Sequence, residues 1–351
     1  MSDVFTPKKI NNHEIKNRIT LPPLVTFNFS ENGYVNSRKI DHYKQIAENG
    51  IGMIVVEATA VHPNGRLSDD QLGIWDDKFI PGLKELADVA HEAECKIVIQ
   101  IHHAGAKTKV EGLTDIVSSS NFQNARALKL DEIEAIVRDF KTAAIRAEKA
   151  GFDGVEVHGA HGYLLTQFFS KLSNRRIDEY GGSFENRIRI AKDIFEVIDE
   201  STPDDFIIGI RMGCNENSLE ESKRFAQYFE KFGYDYLSVS TGLDAREIEK
   251  PVDFPYHWIV YGGTEIKKIV HIPVIGVYKI KEKEQIEYLI NNDLLDFVAI
   301  GRGQLADYNF TKHLKEGQDI LYCLECNPCQ WRYDGANCPR QREVAQKKQN
   351  R

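Results

Sequence analysis

Eight short apolar runs, each separated from the next by a longer stretch, constrain this chain more than any other feature of its sequence. The runs are Ile19–Val25, Gly52–Val56, Lys96–Ile101, Gly154–Val157, Phe206–Ile210, Tyr236–Val239, Ile272–Ile275 and Phe297–Ile300. Nearly continuous apolar runs of this length are what strands buried on both faces look like. Helical patterns are expected at Ser37–Glu48, Phe79–Glu92, Asp131–Ala150, Ser183–Ile198, Leu219–Lys231, Thr264–Val270 and Lys281–Asn291. Asp131 followed three residues later by Glu134 reads as a capping box. Gly50, Gly151 and Gly233 stand where three of these helices should stop before the next strand.

Strands alternating with crossover helices imply a parallel sheet, and eight of them close into a (β/α)8 TIM barrel. The rival is an open doubly wound sheet, which needs a glycine-rich turn after its first strand. Here that turn reads Leu21-Pro22-Pro23-Leu24, without glycine. The expected class is therefore α/β. The expected partition is one barrel, residues 1–315, followed by a short cysteine-containing C-terminal tail, residues 316–351. Composition removes other classes. The chain of 351 residues has 45 Lys+Arg against 53 Asp+Glu, a net charge of −8, which argues against nucleic acid as the main partner. No apolar run approaches a membrane span, and the first residues lack the apolar core of a signal peptide, so a cytoplasmic protein with no membrane partner is expected.

In a barrel, the C-terminal ends of the strands face the active site. The fourth run ends at His158, with His161 and Tyr163 in the turn that follows. Two imidazoles can donate to one carbonyl oxygen, and a nearby phenol can transfer a proton. Structural histidines, or a metal site with Glu156 as third ligand, are the other readings of these residues. Gln100 and Arg211 end the third and fifth runs. Gly276 and Val277, with Gly301 and Arg302, follow the last two strands, where barrels often bind phosphate.

Together these residues resemble the Old Yellow Enzyme family of FMN-dependent ene-reductases. The match includes Lys16-Asn17-Arg18-Ile19 leading into Pro22-Pro23-Leu24, then Val56-Glu57-Ala58-Thr59-Ala60-Val61 and His103-Ala104-Gly105. Its most specific stretch runs from His158 through His161 and Tyr163 to Asp178-Glu179-Tyr180-Gly181-Gly182-Ser183. The chain looks most like the shorter bacterial branch and the barrel domain of 2,4-dienoyl-CoA reductases. The resemblance implies an FMN lined by Pro23, Leu24, Val25 and Ala58. It implies Gln100 on the pyrimidine edge of the ring and Arg211 near N1/O2. Gly276, Val277, Gly301 and Arg302 would hold the phosphate. His158 and His161 would bind the carbonyl of an α,β-unsaturated substrate and Tyr163 would protonate it, with NAD(P)H as reductant. Two positions depart from the family. Val25 stands where Thr or Cys is usual, so a hydrogen-bond donor is missing beside the flavin and a lower potential is expected. Phe27 replaces a common Tyr.

Four of the six cysteines, Cys323, Cys326, Cys329 and Cys338, crowd into one stretch of the tail. In dienoyl-CoA reductases a similar segment binds a 4Fe–4S cluster, and four thiolates also suit structural zinc. The spacing here is shorter than in that segment, so a cluster, zinc, an emptied remnant and free thiols all stay open. The resemblance also implies a homo-oligomer in which a neighbour's arginine reaches the site, with Arg332 and Arg340 as candidates. A stand-alone relative of dienoyl-CoA reductase, or a nitro or quinone reductase, is the alternative within redox chemistry. A non-redox barrel aldolase or isomerase acting on a phosphorylated substrate is the alternative from another class.

Overall fold

All eight apolar runs become strands, and they close into one parallel barrel in sequence order. In the computed structural model, which describes residues 3–26, 30–332 and 334–349, the strands are β1 Ile19–Leu21, β2 Met53–Ala60, β3 Lys96–His102, β4 Gly154–Gly159, β5 Ile207–Gly213, β6 Tyr236–Ser240, β7 Val274–Val277 and β8 Phe297–Ala299. Phe27 and the side chain of Arg332 lie outside the described residues. β1 stops at Leu21 because Pro22 and Pro23 have no N–H to extend the ladder. β2 runs on to Ala60, with a register shift against β3 between Val56 and Thr59.

Two apolar layers explain why the strands read as continuous hydrophobic runs. Met53, Val55, Val98, Ile207, Tyr236, Ile275 and Phe297 point inward and fill the barrel. Ile10 and Ile15 join them from an antiparallel ribbon, Lys8–Ile10 with His13–Ile15. The opposite phase, including Ile54, Val56, Ile97, Ile99, Val155 and Ile210, packs on the surrounding helices. These are α1 Ser37–Glu48, α2 Ile80–Glu92, α3 Leu130–Lys149, α4 Leu164–Phe169, α5 Phe184–Asp199, α6 Leu219–Phe232, α7 Trp258–Lys267 and α8 Lys283–Asn291. Gly50, Gly151 and Gly233 take positive φ (+85°, +86° and +113°) at the ends of their helices, as the sequence suggested. The capping box does not form at Asp131 and Glu134. α3 begins one residue earlier, so Glu132 is its third residue and accepts the Lys129 N–H at 2.8 Å.

After α9 Arg302–Ala306 and α10 Phe310–Glu316, the tail folds back over the barrel mouth. Trp331 buries against Leu305, with Leu24, Cys329 and Cys338 packed beside it. Glu325 pairs with Lys281 at 2.7 Å, and Gln341, on α11 Pro339–Gln349, donates to the Leu305 carbonyl at 2.9 Å. Among the described residues, no helix is long and apolar enough to cross a membrane.

Candidate active site

The inward phase that fills the barrel turns polar at its C-terminal end. On β3 the series is Val98, Gln100, His102, and on β4 it is Gly154, Glu156, His158. Period-two alternation therefore puts His102, His158 and Arg211 in the top layer, where His158 lies opposite Arg211 in the ladder. One step below, Gln100 lies opposite Glu156 and its Nε2 donates to that carboxylate at 2.7 Å. The Tyr236 hydroxyl donates to the other oxygen of Glu156 at 3.0 Å. Burial raises the pKa of Glu156, while the Arg211 charge opposes that rise.

His158, His161 and Tyr163 converge as the sequence suggested. The ring centroids of His158 and His161 are 5.1 Å apart, and those of His158 and Tyr163 are 5.0 Å apart. The Ala160 N–H donates to Nδ1 of His158 at 3.3 Å, so the neutral ring carries its proton on Nε2. His161 is held in the left-handed region at φ +63°, a conformation uncommon outside glycine. Three contacts fix it. Its N–H donates to the Thr241 carbonyl at 2.8 Å, its carbonyl accepts from Lys107 Nζ at 2.6 Å, and its Nε2 meets the Ser240 hydroxyl at 2.8 Å. Backbone strain of this kind persists only where the surroundings over-determine it, as they do here. The same Lys107 ammonium lies 5.4 Å from the centre of the Tyr163 ring.

Burial holds both His158 and His161 well below the ordinary histidine pKa. Burial likewise pushes His42, His102 and His103 down to about 3. A folded-state pKa below the unfolded value means the unfolded chain takes the proton first. The stability these five rings permit is complete above pH 6.5 and is lost as pH falls below it. We expect unfolding free energy to drop there by up to about 1.4 kcal/mol per pH unit for each such histidine. Urea titrations at pH 7 and pH 5 check this, and equal stabilities would contradict it.

A cavity of about 430 Å³ opens at the mouth beside these groups, lined by Leu24, Arg211, Val277, Gly301 and Arg302. A neighbouring cavity of about 270 Å³ shares Leu24 and Arg302 and is lined by Pro23, Val25 and Tyr163. Together they match the size of a small-ligand site. Arg211 is buried, and its Nε has no hydrogen-bond partner. A Cβ at Gly301 would press on Pro22 and Leu24 at 3.2 and 3.3 Å. These features fit a planar, anionic cofactor such as a flavin phosphate: an orphaned guanidinium donor, a close backbone approach, and cations at Lys279, Lys281 and Arg302.

Other expected contacts are placed differently. Gly276 lies behind the wall, where a Cβ would meet Leu295 at 2.2 Å. The Ala58 carbonyl already accepts from Gln71 at 2.7 Å. Val25 faces the smaller cavity, and no hydroxyl replaces it, because Thr26 donates its own to Glu57 at 2.6 Å. Glu156 serves its neighbours on the barrel strands rather than a metal. Among the described residues, no group of three or more His, Cys, Asp or Glu side chains is arranged to hold a metal ion.

The metal expectation for the tail gains no support. Cys323, Cys326, Cys329 and Cys338 form no disulfide and, among the described residues, no metal-ligand set. Cys323 lines the larger cavity and Cys329 the smaller, while Cys338 packs by Trp331. The tail instead walls the site with Cys323, Glu325, Cys329 and Trp331. The Arg340 guanidinium is occupied within the tail, by the Tyr322 carbonyl and the Glu343 carboxylate. Sequence reasoning assigned no role to His102, Lys107 or Ser240. His102 and Ser240 were visible in the inward phases of β3 and β6, whereas Lys107 depends on loop closure.

The family model of the NADH:flavin oxidoreductase / NADH oxidase family matches residues 3–320. The chain belongs to this family. An NADH oxidase of Thermoanaerobacter brockii is 42% identical over 343 residues, covering 93% of this chain and 53% of that protein. An NADPH dehydrogenase of Clostridium acetobutylicum is 35% identical over 319 residues, covering 88% of this chain and 93% of that protein. Among solved structures, a 2-naphthoyl-CoA reductase in complex with 2-naphthoyl-CoA superposes with a TM-score of 0.85 at 26% identity. It covers 96% of this chain and 56% of that one. The chain thus spans about half the length of two of these relatives and nearly the whole of the third. This family is the one to which the Old Yellow Enzyme resemblance pointed. By its description the family comprises NADH:flavin oxidoreductases and NADH oxidases.

Proposed function

We propose that this family member is an ene-reductase, which reduces the activated C=C bond of α,β-unsaturated carbonyl compounds. The observation that carries the reading is the neutral pair of buried His158 and half-buried His161, beside Tyr163 at the mouth of a cavity walled by Arg211. FMN, when bound, supplies the hydride after reduction by NAD(P)H. Pro23, Leu24, Val25 and Ala58 would line it, with Gln100 and Arg211 along its polar edge. Val277, Gly301 and Arg302 would surround its phosphate.

His158 presents a fixed N–H, and His161 can present one because Ser240 both donates and accepts. Aimed at one carbonyl oxygen, they stabilise the negative charge that accumulates there as the β-carbon is reduced. Tyr163 delivers a proton to the α-carbon. Arg211 compensates negative charge on the cofactor, and Glu156 keeps that guanidinium from being the only buried charge at this level of the barrel. The reading carries with it a cytoplasmic homo-oligomer, with residues 1–315 as the catalytic barrel and 316–351 as an appended wall of the site.

Purified protein should be yellow, contain FMN, and bleach on anaerobic addition of NADH or NADPH. A colourless protein that cannot be reconstituted with FMN would favour the non-redox barrel enzyme. A second substrate class, unsaturated CoA thioesters, is favoured by the likeness to the naphthoyl-CoA reductase. Rates on 2-cyclohexenone and on a dienoyl-CoA would separate the two.

A further inference from the structure

Lys107 braces the His161 backbone, but a backbone contact does not account for a charge in that place. The residue ends the short turn Gly105–Lys107 that follows β3, and it is half-buried. Its Nζ donates to the His161 carbonyl at 2.6 Å and stands 5.4 Å from the centre of the Tyr163 ring. Gly162, at φ +70°, makes the room, since a Cβ there would lie 2.9 Å from that Nζ. Burial and the neighbouring Lys109 both disfavour the charge, and among the described residues no carboxylate offsets them. Water can satisfy a carbonyl at a cavity mouth, so a methionine would fill this place without the cost of a poorly solvated cation.

The other ionisable groups around Tyr163 are three imidazoles and one guanidinium. His102, His158 and His161 lie 4.6, 5.0 and 6.3 Å away between ring centres, and burial keeps each of them neutral. Arg211 acts on the phenol from β5. When Tyr163 gives its proton to the α-carbon, its O–H bond breaks and the α-C–H bond forms from the enolate's electron pair. The carbonyl is restored, and the negative charge passes from the enolate oxygen to the phenolate oxygen. Imidazoles aimed at the first oxygen stabilise the charge there, whereas the second calls for positive charge beside the phenol. We propose that Lys107 is a positioning residue that acts through Tyr163, fixing an ammonium beside the ring on which the phenolate forms and so easing loss of the proton. This rests on the ene-reductase reading, in which Tyr163 is the proton donor.

Ionisation of Tyr163 can be followed by near-ultraviolet absorbance of the oxidised holoprotein, as the difference between each protein and the same protein carrying Tyr163→Phe. Lys107→Met keeps the length of the side chain but removes its charge. The Tyr163 midpoint should then rise by about one pH unit, as for a unit charge lost from a half-solvated place roughly 5–6 Å away. Reoxidation of the reduced variant by saturating 2-cyclohexenone should slow by about three- to tenfold, since a weaker acid transfers its proton more slowly. Binding of cyclohexanone to the oxidised variant should stay close to parental, because Thr241 and Ser240 still hold His161. Lys107→Arg should restore both the midpoint and the rate. If the Met variant does not hold FMN, Lys107→Gln serves the same comparison. An unchanged midpoint would overturn the proposal, and so would a raised midpoint with the parental rate. Cyclohexanone binding lost in step with the rate would also overturn it, by reducing Lys107 to a brace for His161. Failure of the ene-reductase reading would show separately, as a parent that does not reduce 2-cyclohexenone.

Discussion

Replacing His158 and His161 together by alanine is expected to slow enone reduction by about 10³-fold or more, while the protein keeps its FMN. Loss of one preorganised donor to a developing oxyanion typically costs 10²–10³-fold, and here both donors go at once. The pair is built for this task. Its rings are neutral, one tautomer is fixed by the Ala160 N–H, and the other ring is held at positive φ by Thr241, Lys107 and Ser240. Reoxidation of the reduced variant by dioxygen provides the control, since dioxygen has no carbonyl to bind and its rate should survive. Parental turnover of 2-cyclohexenone by the double variant would remove the pair from the mechanism.

Lys39→Met is expected to destabilise the fold by about 3–5 kcal/mol, the usual result of breaking a buried ion pair from one side. Lys39, on α1, and Glu57, on β2, are both fully buried, with Nζ 2.5 Å from Oε1. The same carboxylate accepts the Thr26 N–H at 3.0 Å and its hydroxyl at 2.6 Å. One charge pair thus ties an outer helix, a barrel strand and the Pro22–Thr26 segment that lines the site. Without the ammonium, Glu57 keeps only dipoles as partners. Against a typical total stability of about 5–15 kcal/mol, that loss is large. Combining Lys39→Met with Glu57→Gln should restore part of it, because no charge is then left buried. Urea unfolding of the parent, the single variant and the double variant measures both effects. A single variant as stable as the parent would show that the pair contributes little.

The barrel was legible because each strand is buried on two faces, which leaves an apolar run that local pattern detects. The strand ends were legible for the same reason, since a polar residue closing such a run must face the mouth. His158 and Arg211 follow that rule, while Gln100 lies one step below them, bonded to Glu156. What escaped depends on contacts between distant segments. The α3 start shifted by one residue because Glu132, not Glu134, reaches the Lys129 N–H. Gly276 looked like a phosphate contact by analogy, but its missing side chain makes room for Leu295. The tail was read for its cysteines, whereas Trp331, buried on Leu305, brings it across the mouth. No periodicity in residues 316–351 announces that closure.

In an ene-reductase, electrons leave this site for a carbonyl-bearing alkene. Holoprotein reduced anaerobically with NADH or NADPH, then mixed with 2-cyclohexenone while flavin absorbance is followed, tests it most directly. The predicted result is return of the oxidised spectrum at a rate that saturates with enone, yielding one saturated ketone per flavin. A spectrum that stays reduced in enone yet is restored by dioxygen would contradict it.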